Sequence, residues 1–301
     1  EAREVAEMLG IPYHVFDCSA RYKELVLENF KAEYLAGRTP NPCVRCNQLI
    51  KFGMLPEVAK KEGLEFDFFA TGHYAKVEQD EHSKRYLLRK GADHFKDQTY
   101  FIYRLSQEQL SKVLFPLGTM TKHEVREIAA KINMSWADKD ESQDFYSGDY
   151  KDLLEVKNES GKIIDRNGNI LGLHNGIWNY TIGQRKGLGI AYTEPLYVLE
   201  LNPEENTVIV GTRPESLHHS FIVNDLTWIA IPHLTRDLGA HVKIRSSQKG
   251  STAILTPIDE SSVKVTFDDA HEGITPGQSA VFYIDDLVIG GGNIQSVLQN
   301  E

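Results

Sequence analysis

The residues best suited to chemistry sit in one stretch. Residues 37–52 read GRTPNPCVRCNQLIKF and hold Cys43 and Cys46, two of the chain's three cysteines. Pro40 and Pro42 drive Thr39 and Asn41 into extended conformations, because a proline excludes the α region for the residue before it. No breaker follows until Gly53, and Leu49, Ile50 and Phe52 are apolar. The pattern predicts a stiff loop that turns into a helix, with both sulfurs in the first turn. Free N–H groups and the dipole at a helix start favour a thiolate, and C-x-x-C spacing lowers a thiol pKa further. Arg45 and Lys51 add positive charge.

Three readings fit the pair. An inert buried pair is disfavoured by the Pro, Arg and Asn around the sulfurs. A structural zinc site needs four ligands, and no second C-x-x-C or C-x-x-H is present, so Cys18 and a histidine would have to complete it. Reactive thiols serve as nucleophile, persulfide carrier, redox pair or iron–sulfur ligand, and the residues alone leave these four open.

The elements that must position the cysteines are legible on both sides. Ala2, Val5, Ala6 and Leu9 repeat at helical spacing, stopped by Gly10 and Pro12. Residues 12–17, PYHVFD, read as a short buried strand with Cys18 at its end, where strand ends border the crevice of an open α/β sheet. A small apolar packing residue is the competing role for Cys18. Leu25, Val26, Phe30 and Tyr34 mark an amphipathic helix over residues 22–35, and the helix after the cysteines continues to Gly63. A strand over residues 66–70 leads into TGHY, where Gly72 lets backbone approach a ligand. His73 reads as a hydrogen-bonded structural residue, with acid–base or clamp roles as alternatives.

Residues 78–90 form a polar hairpin whose Lys84, Arg85, Arg89 and Lys90 read as a solvated face. Lys96-Asp97-Gln98 combines a phosphate-seeking cation with an amide able to read a base edge, or is simply a helix start. Helices follow over residues 107–114 and after Thr121, whose capping box is closed by Glu124. From Gly161 the character changes to short β runs separated by Asn-Gly turns, with Gly183, Gly187 and Gly189 making a basic loop around Arg185 and Lys186. From Ser220 nearly everything reads as strand, at the spacing of a small barrel, with Lys243, Arg245 and Lys249 on or beside one hairpin.

A chain of 301 residues suggests two or three domains. No run approaches the roughly 20 apolar residues of a membrane span. Three cysteines make no disulfide framework, which points to a reducing cytoplasm. A net charge of −10 argues against indiscriminate nucleic-acid binding and leaves room for a local basic face.

TPNPCVRCNQLIKFG resembles the signature loop of the tRNA-specific 2-thiouridylases, the MnmA/TrmU family. The likeness recurs in order at ATGHYAK, KDQTYFIYRL, SQD, YTIGQRKGLGI and PGQSAVFY. It implies an ATP-dependent sulfurtransferase that thiolates C2 of wobble uridine 34 in tRNA. The implied fold is a Rossmann-like α/β ATP-pyrophosphatase domain over residues 1–146, a β-rich tRNA-contacting module over 147–216 and a C-terminal β-barrel over 217–301.

By resemblance Cys46 is the nucleophile, and Asn41, Pro42 and Cys43 flank a flipped target base. Gly72 contacts ATP. His73, Lys96, Asp97, Gln98, Arg245, Ser246 and Gln278 contact tRNA. The implied partners are tRNA and a protein that donates persulfide or sulfide, and the implied cofactors are ATP and magnesium. Two departures stand out. The SGGxDS loop that cradles ATP phosphates in the family is not in the sequence, which opens at Glu1 inside a helical pattern and reads as N-terminally truncated. The family's second cysteine, expected two residues after SQD, is replaced by Phe145 and Tyr146. Either Cys43 takes its place, or Cys18, Cys43 and Cys46 hold an iron–sulfur cluster. The alternatives are a C-x-x-C sulfur or cluster carrier with redox function, and a non-catalytic tRNA-binding paralogue.

Overall fold

The structure, a computed structural model, describes residues 2–132 and 150–299. After a short helix α1 (Ala2–Leu9), two longer helices frame the cysteine loop, and both widen into a π turn midway. The first, α2 (residues 19–35), is α-helical over Ser19–Tyr22, π-helical over Lys23–Leu27 and α-helical again over Glu28–Leu35. The second, α3 (residues 42–61), runs through Pro42–Cys46, the π segment Asn47–Met54 and Leu55–Lys61. Its start is as the sequence predicts. Asn41 is non-helical, its Oδ1 accepts the Val44 N–H at 3.3 Å, and Pro42 occupies the first turn, where its missing N–H costs nothing.

The strand expected over residues 12–17 does not form. Tyr13 and Val15 are 43% and 69% exposed. A strand exists only with a hydrogen-bonded neighbour, and none of the described residues pairs with this segment. Cys18 therefore sits just before α2, not at a strand end.

The next elements are β1 (Phe69–Ala70), β2 (Ala75–Gln79), β3 (Tyr86–Lys90), α4 (Thr99–Ile102), α5 (Gln107–Ser111), β4 (Val113–Leu114) and α6 (Lys122–Lys131). β1 and β4 pair in parallel, Phe69 opposite Val113. The helix expected over 107–114 thus stops at Ser111, and its last two residues become strand because β1 supplies the partner. The Thr121–Glu124 capping box is present.

A four-stranded sheet follows α7 (Tyr150–Leu154). It contains β5 (Gly161–Ile164), β6 (Ile170–His174), β7 (Tyr197–Asn202) and β8 (Thr207–Gly211) in the order β6-β5-β8-β7. Ile163, Val198, Val208 and Val210 make its core.

The remaining strands are β9 (Leu217–Trp228), β10 (Leu238–Lys243), β11 (Ser251–Pro257), β12 (Ser262–Glu272), β13 (Ser279–Ile284) and β14 (Leu287–Val297). They close into the expected barrel in the order β13-β10-β11-β12-β9-β14, with β13 pairing back to β14. Alternation fills it. In β11, Ala253 and Leu255 point inward and Thr252 and Ile254 outward. Fully buried Phe221 and Phe282 each contribute about 2–3 kcal/mol of hydrophobic stabilisation.

The barrel is not a separate appendage. The β2–β3 hairpin adds to its sheet through β14, with Leu88 opposite Val288. Lys84 is exposed as the sequence suggests, but Arg85, Arg89 and Lys90 are ties rather than a solvated face. Arg85 donates to the carbonyls of Ile229 and Trp228 at 2.8 and 3.0 Å, and Arg89 bridges Glu78 and Asp286. The core shared across this seam includes Val44 and Phe52 from α3, Tyr100 and Tyr103, and Val281 and Val288 from the barrel.

Candidate active site

Cys43 and Cys46 lie three residues apart on α3 and so share a face of the helix. Both are half-buried, and no disulfide joins any of the three cysteines. Burial pushes the Cys46 thiol up, and Lys51 pulls it back only in part. The lowered pKa expected at a helix start is therefore not found at Cys46. It is the fifth helical residue, one turn past the free N–H groups, so desolvation wins. The Tyr22 phenol lies beside both sulfurs. Burial raises its pKa first, and charge on Cys46 and Cys43 raises it further. Nothing in the sequence marks Tyr22 as a neighbour of the pair, because the two helices meet only in the folded chain. Arg45, between the cysteines, donates from Nε to the Leu25 carbonyl in the π turn of α2 and so fixes one helix to the other. On the far side Asn47 donates to Phe101 O at 3.1 Å, and Gln109 Nε2 donates to Gln48 O at 2.9 Å.

The loop before α3 is held by the barrel. The Thr39 N–H donates to Pro276 O at 2.9 Å, and Gln278 Nε2 donates to Pro40 O at 3.3 Å. Gly277 between them has φ +91°, and a Cβ there would stand 2.9 Å from Thr39 O. The hydroxyl of fully buried Tyr100 lies 2.9 Å from Ser279 O and 3.3 Å from Ile244 O, and also interacts with the Asn41 side chain. Asn41 and Pro42 are thus fixed from the barrel side as well as by the helix start.

The other sequence-predicted residues divide between surface and interior. Gly72 is exposed just after β1, and a Cβ there would meet only Leu117, at an ordinary 3.6 Å. Internal packing therefore leaves one side of it open to a ligand. His73 is buried between Phe52 and Phe115, its Nδ1 2.8 Å from Thr71 Oγ1. Burial, aided by Lys51, lowers its pKa to about 4, so the ring is neutral at physiological pH.

Asp97 and Gln98 turn inward. Asp97 Oδ1 accepts from Thr99 N and Oγ1 at 3.2 and 2.8 Å, and Lys243 Nζ lies 3.8 Å from its other oxygen. Gln98 exchanges two bonds with the Tyr74 backbone at 3.0 and 3.2 Å. Lys96 is half-buried and its backbone N–H is held by Asp93. Arg245 and Ser246 are exposed in the turn after β10, and Arg245 donates to Gly273 O at 3.2 Å. Gly183 lies against the same turn, so the loop carrying exposed Arg185 and Lys186 adjoins Arg245. Among the described residues no group of three or more His, Cys, Asp or Glu side chains is placed to hold a metal ion. Cys18 is therefore not assembled with Cys43 and Cys46 into a cluster site. Phe145 and Tyr146, where the family's second cysteine is expected, lie outside the described residues.

Comparison with known proteins matches the chain along its length. Residues 1–146 match the tRNA methyl transferase HUP domain, residues 151–212 the tRNA methyl transferase PRC-barrel domain, and residues 218–294 the aminomethyltransferase beta-barrel domain. The chain is 50% identical to the tRNA-specific 2-thiouridylase MnmA of Endomicrobium trichonymphae, over 97% of this chain and 82% of that protein. It is 47% identical to MnmA 1 of Caldanaerobacter subterraneus subsp. tengcongensis, over 98% and 82% of the two chains. It is 43% identical to MnmA of Clostridioides difficile, over 99% and 84%. With every segment of the fold matched and identity this high across it, the chain belongs to the tRNA-specific 2-thiouridylase MnmA family.

Proposed function

We propose that this protein replaces the C2 oxygen of wobble uridine 34 in tRNA with sulfur, at the expense of ATP. The observation that carries this reading is the hold of the barrel turn on the cysteine loop, through Thr39–Pro276 and Gln278–Pro40. An RNA lying across Arg185, Lys186, Arg245 and Ser246 is thereby brought to a loop of set geometry. The extruded uridine enters between Asn41, Pro42 and Cys43, since C2 cannot reach a thiol from within the stack. Lys96 contributes a further phosphate contact. Asp97, Gln98, Gln278 and neutral His73 act from behind this surface, holding the segments that touch RNA.

In this reading the C2 oxygen attacks the α-phosphorus of ATP, which approaches the backbone at Gly72, and pyrophosphate leaves. Sulfur arrives from a donor protein, in the reducing cytoplasm, as a persulfide on Cys46. The Cys43 thiolate attacks the Cys46 Sγ, a Cys43–Cys46 disulfide forms, and the outer sulfur leaves as the nucleophile. It adds to C2 and AMP departs. An external thiol then reduces the disulfide. Magnesium accompanies the nucleotide, and none of the described residues is assigned to it. The catalytic portion is residues 1–146, followed by the tRNA-contacting module (147–216) and the barrel (217–301). No helix among the described residues is long and apolar enough to cross a membrane.

The test is anaerobic incubation of the protein, with an SGGxDS-bearing segment joined ahead of Glu1, with tRNA, ATP, a persulfide-bearing donor protein and an external thiol, scored for 2-thiouridine by mass spectrometry. Cys43→Ser and Cys46→Ser should each abolish the product. Activity retained in Cys43→Ser removes the relay, and no product from the extended protein with both cysteines intact overturns the assignment.

A further inference from the structure

Behind the cysteine loop, where α2, α3 and the barrel meet, lies a small chamber of about 50 Å³. A single water needs only about 10–15 Å³ by this kind of measure, so the space suits a small ion or a few waters. Its walls carry Arg45, Arg104, Asn41, Glu33, Ser279 and Asn293.

The two arginines are not satisfied by the protein. Arg104 is 8% exposed. Its Nη2 binds Asp225, the carboxylate 2.5 Å away, but its buried Nε has no hydrogen-bond partner among the described residues. An unpartnered buried donor of a charged group costs about 1–3 kcal/mol or more. Arg45 spends its Nε on the Leu25 carbonyl, and among the described residues no carboxylate oxygen lies within 4 Å of its guanidinium. The carboxylates nearby are already engaged. Glu33 holds Arg38 through two bonds of 2.6 and 2.8 Å, and Asp225 also accepts from Asn293 at 3.2 Å. Among the described residues, Arg38, Arg45 and Arg104 therefore face only Glu33 and Asp225, which leaves one positive charge over. The burial of Arg45 and its nearness to Arg104 both disfavour its charge.

We propose that this chamber binds one small inorganic monoanion, of the size of chloride or hydrosulfide, between Arg45 and Arg104. The surplus of one charge sets the valence, which favours a monoanion over a dianion such as phosphate. Weakly hydrated guanidinium groups suit such an ion. Water would satisfy the Arg104 N–H but leave the charge unbalanced. Because Pro40 and Asn41 form one wall and Gly277 and Ser279 another, the ion would fasten the barrel to the cysteine loop. This inference stands apart from the thiolation reading and is tested without tRNA.

The experiment is a crystal of the full chain grown without chloride and soaked in bromide, with anomalous data at the bromine edge. A peak within hydrogen-bond reach of both Arg45 and Arg104 is expected. In solution, replacing a bulky organic anion by chloride at constant ionic strength should raise Tm, and Arg104→Met should remove that dependence. Loss of the bromine peak on adding sodium hydrosulfide identifies hydrosulfide as a ligand of the site, and persistence of the peak leaves a halide site. A chamber that holds only water in the bromide crystal, or a Tm indifferent to chloride in the unmodified protein, overturns the proposal.

Discussion

Replacing Lys243 by Met separates structural support from RNA contact in a residue where either role is chemically natural. Lys243 lies 3.8 Å from Asp97, with side chains 11% and 4% exposed. At that distance and an effective dielectric near 20 the attraction is about 4 kcal/mol. Desolvation offsets part of it, as the lowered pKa of Lys243 reflects, its first cause being burial. Asp97 keeps its two bonds from Thr99 when the cation is removed. Met also preserves much of the apolar stem. The net destabilisation expected for Lys243→Met is therefore about 2–3 kcal/mol, somewhat less than the usual cost of breaking a buried pair because Asp97 keeps its Thr99 bonds. Adding Asp97→Asn to the same chain should recover about 1–2 kcal/mol, because the orphaned charge goes with it. The assay is a urea-unfolding cycle of the four proteins by far-UV circular dichroism, with tRNA affinity measured on the same preparations below the transition. Folded Lys243→Met should bind tRNA nearly as well as the parent. An unchanged unfolding midpoint, together with weaker binding and a salt slope reduced by about one ion, would show that Lys243 is a phosphate contact, and would refute the reasoning.

Two further outcomes follow from titration. Because burial holds the Cys46 thiol above its ordinary value and Lys51 opposes this, alkylation of Cys46 by iodoacetamide should be slow at neutral pH and rise into the alkaline range. Lys51→Met should shift that profile to still higher pH, measured by mass spectrometry of the alkylated peptide; a shift the other way would mean that Lys51 does not face the sulfur. His73 has a folded pKa of about 4, below its ordinary 6.5, so the unfolded chain binds the extra proton first. Stability from this group is full above pH 6.5 and declines as pH falls through 4, by up to about 3 kcal/mol. His73→Asn should flatten the pH dependence of Tm over that window, and an unaltered slope would contradict the burial of a neutral ring.

Much of this arrangement is readable from residue order. The Asn41–Pro42 helix start, the Thr121 capping box and the alternation in β11 are local signals, and each forms as its residues predict. The failures share a physical cause. Residues 12–17 have the composition of a strand, but a strand depends on a partner, and composition does not supply one. Arg85 and Arg89 read as solvated because the carbonyls and carboxylate they bind come from residues 228, 229 and 286. The tRNA roles of Asp97, Gln98 and Gln278 are implied by the family resemblance, and the internal bonds their side chains make are invisible in residue order. The thiol pKa goes astray in the same way. Spacing reports the helix start, but burial depends on neighbours such as Tyr22 of α2 that meet the sulfurs only in the folded chain.

The addition of β3 to β14 has a consequence for how the protein is made. Arg89 and Asp286, paired across that junction, are 197 residues apart in the chain, and the turn that grips Thr39 and Pro40 comes nearly as late. At about 5–20 residues per second, a ribosome that has already released the cysteines needs roughly 10–50 s to supply the strands that orient them. During that interval the nascent chain bears both thiols without the frame that aims them. A message cut short before β13 yields a polypeptide with the sulfurs and no means of presenting them. The setting of the cysteine loop is thereby tied to completed synthesis, and loop closure over so long a span makes this docking a late step of folding.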